Sequence, residues 1–206
     1  MSVKSQLAVG NSKRQKAQLS RSMIRLSEKE AVGTMPNIET TMFSVHEPAI
    51  RQQETQQSNT DEPWMQEALR LAQRALEAGE VPVGAIVVHQ GEIVGRGFNR
   101  NIKDSDPTAH AEIIALREAG ARLGNHRLGE CDLFVTIEPC AMCAGAMVHA
   151  RVRRLIFGAD DPKAGAVNSA LHVLNHPRLN HKIEVRDGVM AGRCAEILQE
   201  FFRRRR

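Results

Sequence analysis

Two short motifs constrain this chain more than any other feature of its sequence. The first is PTAHAE at Pro107–Glu112, and the second, about thirty residues further on, is EPCAMC at Glu138–Cys143. Each motif alone is a weak signal, because His-x-Glu occurs by chance and Cys-x-x-Cys also marks redox pairs and structural zinc sites. Their combination in one chain predicts a catalytic zinc site.

The residue types match what a hydrolytic zinc site requires. Such a site uses three protein ligands and keeps one position open for water, whereas a structural site closes all four positions. His110, Cys140 and Cys143 supply three ligands. Because the cysteines are three apart and Pro139 suits the first helical position, we expect both sulfurs in the first turn of a helix. The helix dipole there favours thiolate, the form that binds metal.

Glu112 is the candidate for proton transfer. Zinc lowers the pKa of a bound water from about 15.7 to about 7, but the proton still needs an acceptor. Glu112 follows His110 by two residues, so it is placed to take this proton and return it to a ring nitrogen and then to a leaving amine. Residues two apart in a regular helix point about 200° apart, so both reach one pocket only if the metal lies near the first turn.

The two motifs together resemble those of the zinc nucleoside and nucleobase deaminases, in which the glutamate is not a metal ligand. Further segments, in the same order and at matching spacing, resemble the bacterial tRNA-specific adenosine deaminases. These segments are EVPVGA at Glu80–Ala85, FNR at Phe98–Arg100, DPTAHAE at Asp106–Glu112, FGADDPKAG at Phe157–Gly165, NH at Asn180–His181 and FFR at Phe201–Arg203. The resemblance covers roughly residues 61–203 and leaves out the first sixty.

The resemblance implies a fold and an activity. The fold would be a three-layer α/β/α cytidine-deaminase-like domain with a central mixed sheet of about five strands. The activity would be hydrolytic deamination of adenosine to inosine at the wobble position of a tRNA anticodon, by zinc-activated water and a glutamate proton shuttle. It also implies one Zn²⁺ per chain, an anticodon stem-loop as substrate and a homodimer whose helices near the cysteines pack across the two-fold axis.

Three further residues acquire a substrate-binding role from the resemblance. Asn99 and Val83 would line the pocket for the target nucleotide, and Asp161 would contact the preceding nucleotide. From the residues alone two other roles are open. Asn99 after a strand suits a turn asparagine that satisfies backbone groups, and Asp161 before Pro162 suits the start of a turn.

The end of the chain supplies the remaining substrate-binding candidates. The resemblance places Asn180, Phe202 and Arg203 near the RNA. The alternative for the last helix is one core phenylalanine followed by a solvated run of arginines. We expect both descriptions to hold in part, with Phe202 or Arg203 closer to the RNA.

Two rival functions remain open at this stage. One is the same zinc chemistry on a free base or nucleotide, such as guanine, cytosine or dCMP, against which the matched segments and the terminal Phe-Phe-Arg argue. The other is a noncatalytic, zinc-stabilised RNA-binding module. That module needs a fourth protein ligand, for which Cys131, Cys194 or a stray histidine is available.

Charge and composition divide the chain in two. The net charge is +4, yet residues 1–59 carry 8 basic and 5 acidic groups while residues 60–206 carry 20 and 19. The first part is rich in Ser, Gln, Asn, Thr and Lys, which predicts a disordered N-terminal extension over 1–59 and a zinc-dependent deaminase domain over 60–206. Since the domain is nearly neutral, any RNA-binding surface must be local.

The extension has three possible roles: a nonessential segment, a targeting peptide, or a basic arm that touches RNA. The N-terminus has no apolar core of a signal peptide, and no apolar run approaches the roughly 20 residues of a membrane helix. Four cysteines, two of them assigned to metal, indicate no disulfide framework. We therefore expect a soluble cytoplasmic protein without a membrane segment.

Hydrophobic periodicity predicts a sheet with helices on both faces. Asp61 is the predicted N-cap of the first helix, and Gly95-Arg96-Gly97 fits strand geometry better than a phosphate loop. The other predicted elements are strands at Val83–Val88, Ile93–Phe98, Cys131–Ile137, Val152–Phe157 and Ile183–Arg186, and helices at Ala109–Leu123, Cys140–His149 and Met190–Arg204. Strand order does not follow from these patterns.

Overall fold

A computed structural model describes the backbone of residues 49–205 and the side chains from residue 60 onward. The helices are α1 (Ala49–Glu77), α2 (Asn101–Asp104), α3 (Ala111–Leu123), α4 (Ala141–Ala150) and α5 (Ala191–Arg204). The strands are β1 (Gly84–His89), β2 (Glu92–Phe98), β3 (Cys131–Ile137), β4 (Arg154–Ala159) and β5 (Glu184–Arg186). Most of the predicted extension, residues 1–48, lies outside the described residues, so its disorder stays a prediction. Residues 49–59, also predicted to be disordered, instead form the start of α1.

The five strands form one mixed sheet in the order β2-β1-β3-β4-β5. Strands β1 and β2 form the predicted antiparallel hairpin, whose turn residues Gln90 and Gly91 have φ of 49° and 78°. A positive φ at both central positions is typical of the tight turns that match strand twist. Strand β1 is also antiparallel to β3, while β3, β4 and β5 run parallel to one another.

Helices cover both faces of this sheet. Helices α3 and α4 pack on one face, and α1 and α5 pack on the other. Alternation along the central strands supplies both cores, because Leu133 and Val135 face α3 and α4 whereas Phe134 and Ile156 face α1 and α5. The predicted three-layer α/β/α architecture is thus confirmed.

Glycines in β2 allow α3 to lie directly on the strand backbone. A Cβ atom at Gly97 would lie 2.0 Å from the carbonyl oxygen of Ala111, and one at Gly95 would lie 2.2 Å from that of Ala115. Any larger residue would therefore push the helix away from the sheet. The Gly-x-Gly segment is a strand, as predicted, and it sets the position of the N-terminus of α3.

The first helix differs from its prediction. Helix α1 begins at Ala49 and contains Pro63, so Asp61 is an interior residue and not the N-cap. Its buried carboxylate accepts hydrogen bonds from Arg154 at 3.1 Å and Arg186 at 2.7 Å. Asp61 therefore joins α1 to strands β4 and β5, contacts between distant residues that local sequence does not reveal. Across residues 60–205, none of the helices combines the length and apolarity needed to span a membrane.

Candidate metal centre and active site

The three predicted metal ligands meet where two helices begin. His110 directly precedes α3 with φ −76° and ψ 151°, and Cys140 directly precedes α4 with φ −72° and ψ 173°. Both residues are extended, so their side chains leave the helix axes and point toward one another. Cys143 lies in the first turn of α4 and is buried. The cluster therefore lies beyond the carboxyl end of β3.

The distances within this cluster fit a tetrahedral metal. Nδ1 of His110 lies 3.7 Å from Sγ of Cys140 and 3.6 Å from Sγ of Cys143. Zn–S and Zn–N bonds of about 2.3 and 2.05 Å at a tetrahedral angle place sulfur and nitrogen about 3.6 Å apart. All three ligand atoms lie within 4.8 Å of one another, so these residues could hold a metal ion.

One detail of the predicted cysteine turn is wrong. Pro139 is not the first helical residue, because α4 begins at Ala141 and Cys140 occupies the N-cap position. The carbonyl oxygen of Pro139 instead accepts a hydrogen bond of 2.8 Å from the N–H of Ala166. This contact with a distant loop holds Pro139 outside the helix, so only Cys143 of the two cysteines lies in the first turn.

Electrostatics around the cysteines favour a thiolate. The hydrogen bond from the Cys143 thiol, and then the contact with His110, lower the pKa of Cys140 to about 3. The same contact with Cys140 raises the pKa of His110, while the neighbouring Cys140 sulfur and burial raise the pKa of Cys143. The lowered pKa of Cys140 favours its thiolate, the form that binds metal.

Glu112 lies beside this cluster as the second residue of α3. Its side chain is 3 % exposed, and burial, the largest cause, raises the pKa of its carboxyl. Because His110 lies outside the helix, the separation of about 200° for residues two apart within a helix does not apply. His110 and Glu112 therefore reach one site, which was the geometric condition on the predicted pair.

Asn99 and Val83 are joined to the start of α3. The side-chain Oδ1 of Asn99 accepts a hydrogen bond of 2.9 Å from the N–H of Ala111, and its own N–H donates to the carbonyl of Val83 at 3.1 Å. Both residues are buried. Asn99 thus satisfies backbone, as one alternative held, while its Nδ2 makes no hydrogen bond within residues 60–205. The role of both residues toward a nucleotide stays a prediction.

Asp161 lies in the loop that follows β4. Its Oδ1 accepts hydrogen bonds from the N–H groups of Lys163 at 3.0 Å and Ala164 at 3.1 Å, the turn geometry that one alternative gave it. Its N–H donates to Oε2 of Glu138 at 3.1 Å, which ties the loop to the cysteine turn. Contact of Asp161 with RNA stays a prediction.

Residues at the end of the chain contribute no contact to the metal cluster within the described part of the structure. Asn180 is exposed, and its carbonyl accepts a hydrogen bond of 3.1 Å from Arg151. Phe202 is 52 % exposed and meets the buried Phe201 edge-on at 5.2 Å, with Arg203 exposed beside it. One core phenylalanine and an exposed basic end are thus both present, and the RNA contacts of these residues remain predictions.

Glu138 is a residue of the site to which sequence reasoning gave no role. Its side chain is 2 % exposed. Burial alone raises the pKa of Glu138, but hydrogen bonds from Ser169, Asn168 and Asp161 outweigh it and lower the pKa to about 2. The only local signal is its place directly before Pro-Cys, since its partners lie 23 to 31 residues further along the chain.

Comparisons with known proteins agree with this geometry. The family model of the MafB19-like deaminases matches residues 59–206. A tRNA-specific adenosine deaminase of Haemophilus influenzae is 49% identical over 150 residues, which are 72% of this chain and 87% of the relative. One of Bacillus subtilis is 45% identical over 143 residues, which are 69% of this chain and 89% of the relative.

Solved structures point the same way. A structure from a study of A-to-I editing by tRNA:A34 deaminases at the wobble position aligns with a TM-score of 0.64 and 46% identity, covering 66% of this chain and 98% of that one. A guanine deaminase from Nitrosomonas europaea aligns with a TM-score of 0.60, covering 81% and 98%, but its 24% identity supports the fold alone.

Together, the fold, the His-Cys-Cys cluster and the buried glutamate define an enzyme of the deaminase class. Within that class, the chain belongs to the family of the bacterial tRNA-specific adenosine deaminases.

Proposed function

We propose that this chain converts adenosine to inosine at the wobble position of a tRNA anticodon by hydrolytic deamination. The observation that carries the proposal is the buried carboxyl of Glu112 beside three convergent ligand atoms, in a fold shared with a tRNA:A34 deaminase at 46% identity. In the reaction a C6–O bond forms, the C6–N bond breaks and ammonia leaves.

One Zn²⁺ per chain is the proposed cofactor, held by Nδ1 of His110 and the sulfurs of Cys140 and Cys143. When bound, zinc supplies a Lewis acid that activates water for attack on the base. His110→Ala and Cys140→Ala should each reduce bound zinc from about one per chain to near zero, measured by elemental mass spectrometry. X-ray absorption should find two sulfurs, one nitrogen and one light oxygen around the metal; three sulfurs would exclude an open catalytic position.

Glu112 moves the protons of the proposed reaction. From its position beside His110, its carboxylate accepts a proton from the attacking water, donates it to a ring nitrogen and then assists protonation of the departing amine. Because Glu112 is buried, these transfers take place away from bulk water.

Asn99 and Val83 form the proposed wall that receives the base. The Oδ1 atom of Asn99 is engaged by the backbone of Ala111, so the orientation of its amide is fixed and Nδ2 is directed for donation to the nucleotide. Val83 supplies an apolar surface. A base in a single-stranded anticodon loop reaches such a pocket at little unstacking cost. Asp161, Asn180, Phe202 and Arg203 are proposed to contact the flanking RNA.

A second copy of the chain is the proposed partner. A groove of about 610 Å³ lies between α3 and the second half of α4, with apolar residues such as Ile113, Leu116 and Ala146 in its lining. Such a surface suits the homodimer that the family implies. Ala121→Arg at this groove should convert a dimer to a monomer in sedimentation analysis. A wild-type monomer at micromolar concentration would contradict the proposal.

The proposed compartment is the cytoplasm, testable by cell fractionation.

A side-by-side deamination assay tests the function. The zinc-loaded protein is offered an adenosine-wobble anticodon stem-loop, free adenosine, cytidine and guanine, and products are scored by mass spectrometry. Inosine in the stem-loop alone is the expected result. Turnover of a free base or nucleoside with the stem-loop untouched would assign the chain to the metabolic deaminases, and binding of the stem-loop without any turnover would favour the noncatalytic module.

A further inference from the structure

Glu138 is the centre of a hydrogen-bond cluster that the proposed reaction does not use. Its Oε1 accepts hydrogen bonds from the N–H groups of Val167 at 2.9 Å, Asn168 at 2.7 Å and Ser169 at 2.9 Å. Its Oε2 accepts one from the N–H of Asp161 at 3.1 Å and another from the Ser169 hydroxyl. The Glu138 side chain thus forms hydrogen bonds with both ends of the 161–169 loop.

The chemistry of these partners is unusual for a buried carboxylate. A buried charge is costly unless it is paired or fully hydrogen-bonded. No cation bonds to Glu138 within residues 60–205, so backbone N–H groups and one hydroxyl provide all the compensation. Because backbone donors cannot reach the carboxylate unless the chain wraps around it, the conformation of the 161–169 loop depends on this one side chain.

The same loop lies against a metal ligand. Gly165 pairs with Cys140 in a short β-bridge, and the N–H of Ala166 donates to the carbonyl of Pro139 at 2.8 Å. A Cβ atom at Gly165 would lie 2.2 Å from Oε2 of Glu138, so the loop closes directly over the carboxylate. The loop is therefore a wall beside the metal cluster, and Glu138 lies behind that wall.

We propose that Glu138 is a positioning residue that holds the 161–169 loop beside the metal cluster and thereby sets the affinity for substrate RNA. Glu138 faces the loop backbone and does not touch the reacting atoms. Its loss moves Asp161 and the loop surface, while the three metal ligands keep their own elements. The proposal rests on the proposed tRNA function only for its kinetic readout, because loop order and zinc content can be measured without substrate.

Glu138→Gln tests the proposal with little change in shape. The glutamine amide retains one acceptor oxygen. In place of the other oxygen it presents an NH₂ group, which is a donor and cannot accept hydrogen bonds from the loop. Hydrogen exchange at Asp161, Val167, Asn168 and Ser169 in the zinc-loaded protein should become about 100-fold faster, since the loop opens more readily once the two bonds to Oε2 are lost. KM for the anticodon stem-loop should rise by about tenfold or more, kcat should fall by less than about threefold, and zinc should stay near one per chain.

A second variant reaches the same contact from the other side. Gly165→Ala keeps the charge of Glu138 and places a methyl group where Oε2 now lies. We expect the same rise in KM with little change in kcat. If Glu138→Gln does not fold, this variant still tests whether the contact between Glu138 and the loop sets KM.

Asp61→Asn is the matched control. Asp61 is 3 % exposed and bonds to Arg154 and Arg186, near the end of the sheet opposite the metal cluster. The variant loses a buried carboxylate and stability, but loop exchange and KM should stay at wild-type values. If it reproduces the kinetic change, the effect of Glu138 is general destabilisation and the proposal is wrong.

Several other results would contradict the proposed role of Glu138. Unchanged loop exchange in Glu138→Gln, or an unchanged KM, would overturn the proposal, and so would loss of zinc or a fall in kcat as large as the rise in KM, because Glu138 would then support the metal ligands. If the wild-type protein forms no inosine in the stem-loop, the proposed function fails separately. Loop exchange and zinc content then decide alone whether Glu138 holds the loop.

Discussion

Two buried glutamates flank the metal cluster and behave in opposite ways. Glu112 is 3 % exposed and Glu138 is 2 % exposed, so burial raises the pKa of each carboxyl. For Glu112 burial dominates and the pKa stays raised. For Glu138 the hydrogen bonds from Ser169 and the loop backbone outweigh burial, and its pKa falls to about 2. The number of hydrogen-bond donors, and not the depth of burial, explains why the pKa values of the two carboxyls shift in opposite directions.

The difference separates two uses of the same side chain. A buried carboxyl with few hydrogen-bond donors, such as Glu112, is available to exchange protons with a substrate. Glu138 accepts five hydrogen bonds and holds the polypeptide in place. Replacing each glutamate by glutamine should therefore damage different properties: catalysis at Glu112, and stability with loop order at Glu138.

The largest effect is expected at Glu112. Glu112→Gln should lower turnover of the stem-loop by about 10³-fold or more, because the proton acceptor is lost. Zinc should stay near one per chain, since His110, Cys140 and Cys143 are unchanged. Single-turnover assays and elemental analysis measure the two quantities. Loss of zinc together with activity would instead make Glu112 a metal ligand and remove the basis of the comparison.

A comparison of stability should show the reverse order. Glu138→Gln should lower the free energy of unfolding by about 3 kcal/mol, the sum for two charge-assisted hydrogen bonds. Glu112→Gln should change it by less than about 1 kcal/mol, because the neutral amide avoids the cost of a buried charge. Urea titrations of both zinc-loaded variants check this. Equal losses would show that the hydrogen bonds to Glu138 contribute no more than burial does.

A smaller effect isolates one donor. Ser169→Ala removes the hydroxyl that bonds to Oε2 of Glu138 but keeps the Ser169 N–H bond to Oε1. The free energy of unfolding should fall by about 1 kcal/mol, and KM should change by less than about threefold. A loss of stability as large as that of Glu138→Gln would show that the Ser169 hydroxyl, and not the backbone donors, provides most of the stabilisation of Glu138.

The smallest effect is expected from the N-terminal extension. Deleting residues 1–59, which also removes the start of α1 at Ala49, should leave activity within about threefold, since such composition forms no packed core. The contrast between the Glu112 and Glu138 variants should persist in the shortened chain. A collapse of activity, scored in the stem-loop assay with zinc content as control, would contradict the interpretation of this segment as a nonessential extension.

Sequence patterns predicted those features of the fold and site that depend mainly on neighbouring residues. Strand β3 has the predicted bounds Cys131–Ile137, because an apolar run between turn signals specifies a buried strand. The clustering of His110 with the two cysteines also followed from residue type and spacing. These features depend on a few neighbouring residues and on ligand chemistry.

Contacts between distant segments were not predictable in this way. Strand order depends on packing between elements, and Pro139 leaves the helix because the N–H of Ala166, far along the chain, takes its carbonyl. Asp61 looked like a helix cap but bonds to two strand arginines. Glu138 was visible in its motif, yet its role depends on a loop more than twenty residues away.

The contact between Gly97 and Ala111 has a consequence for protein engineering. Because main-chain atoms alone set the separation of α3 from β2, replacing side chains in the intervening segment does not alter where that helix starts. Asn99 and Ala109 are both anchored by backbone hydrogen bonds, to Val83 and to Arg100. Substitutions in residues 100–108 that leave these backbone contacts intact should therefore keep the first turn of α3 in place.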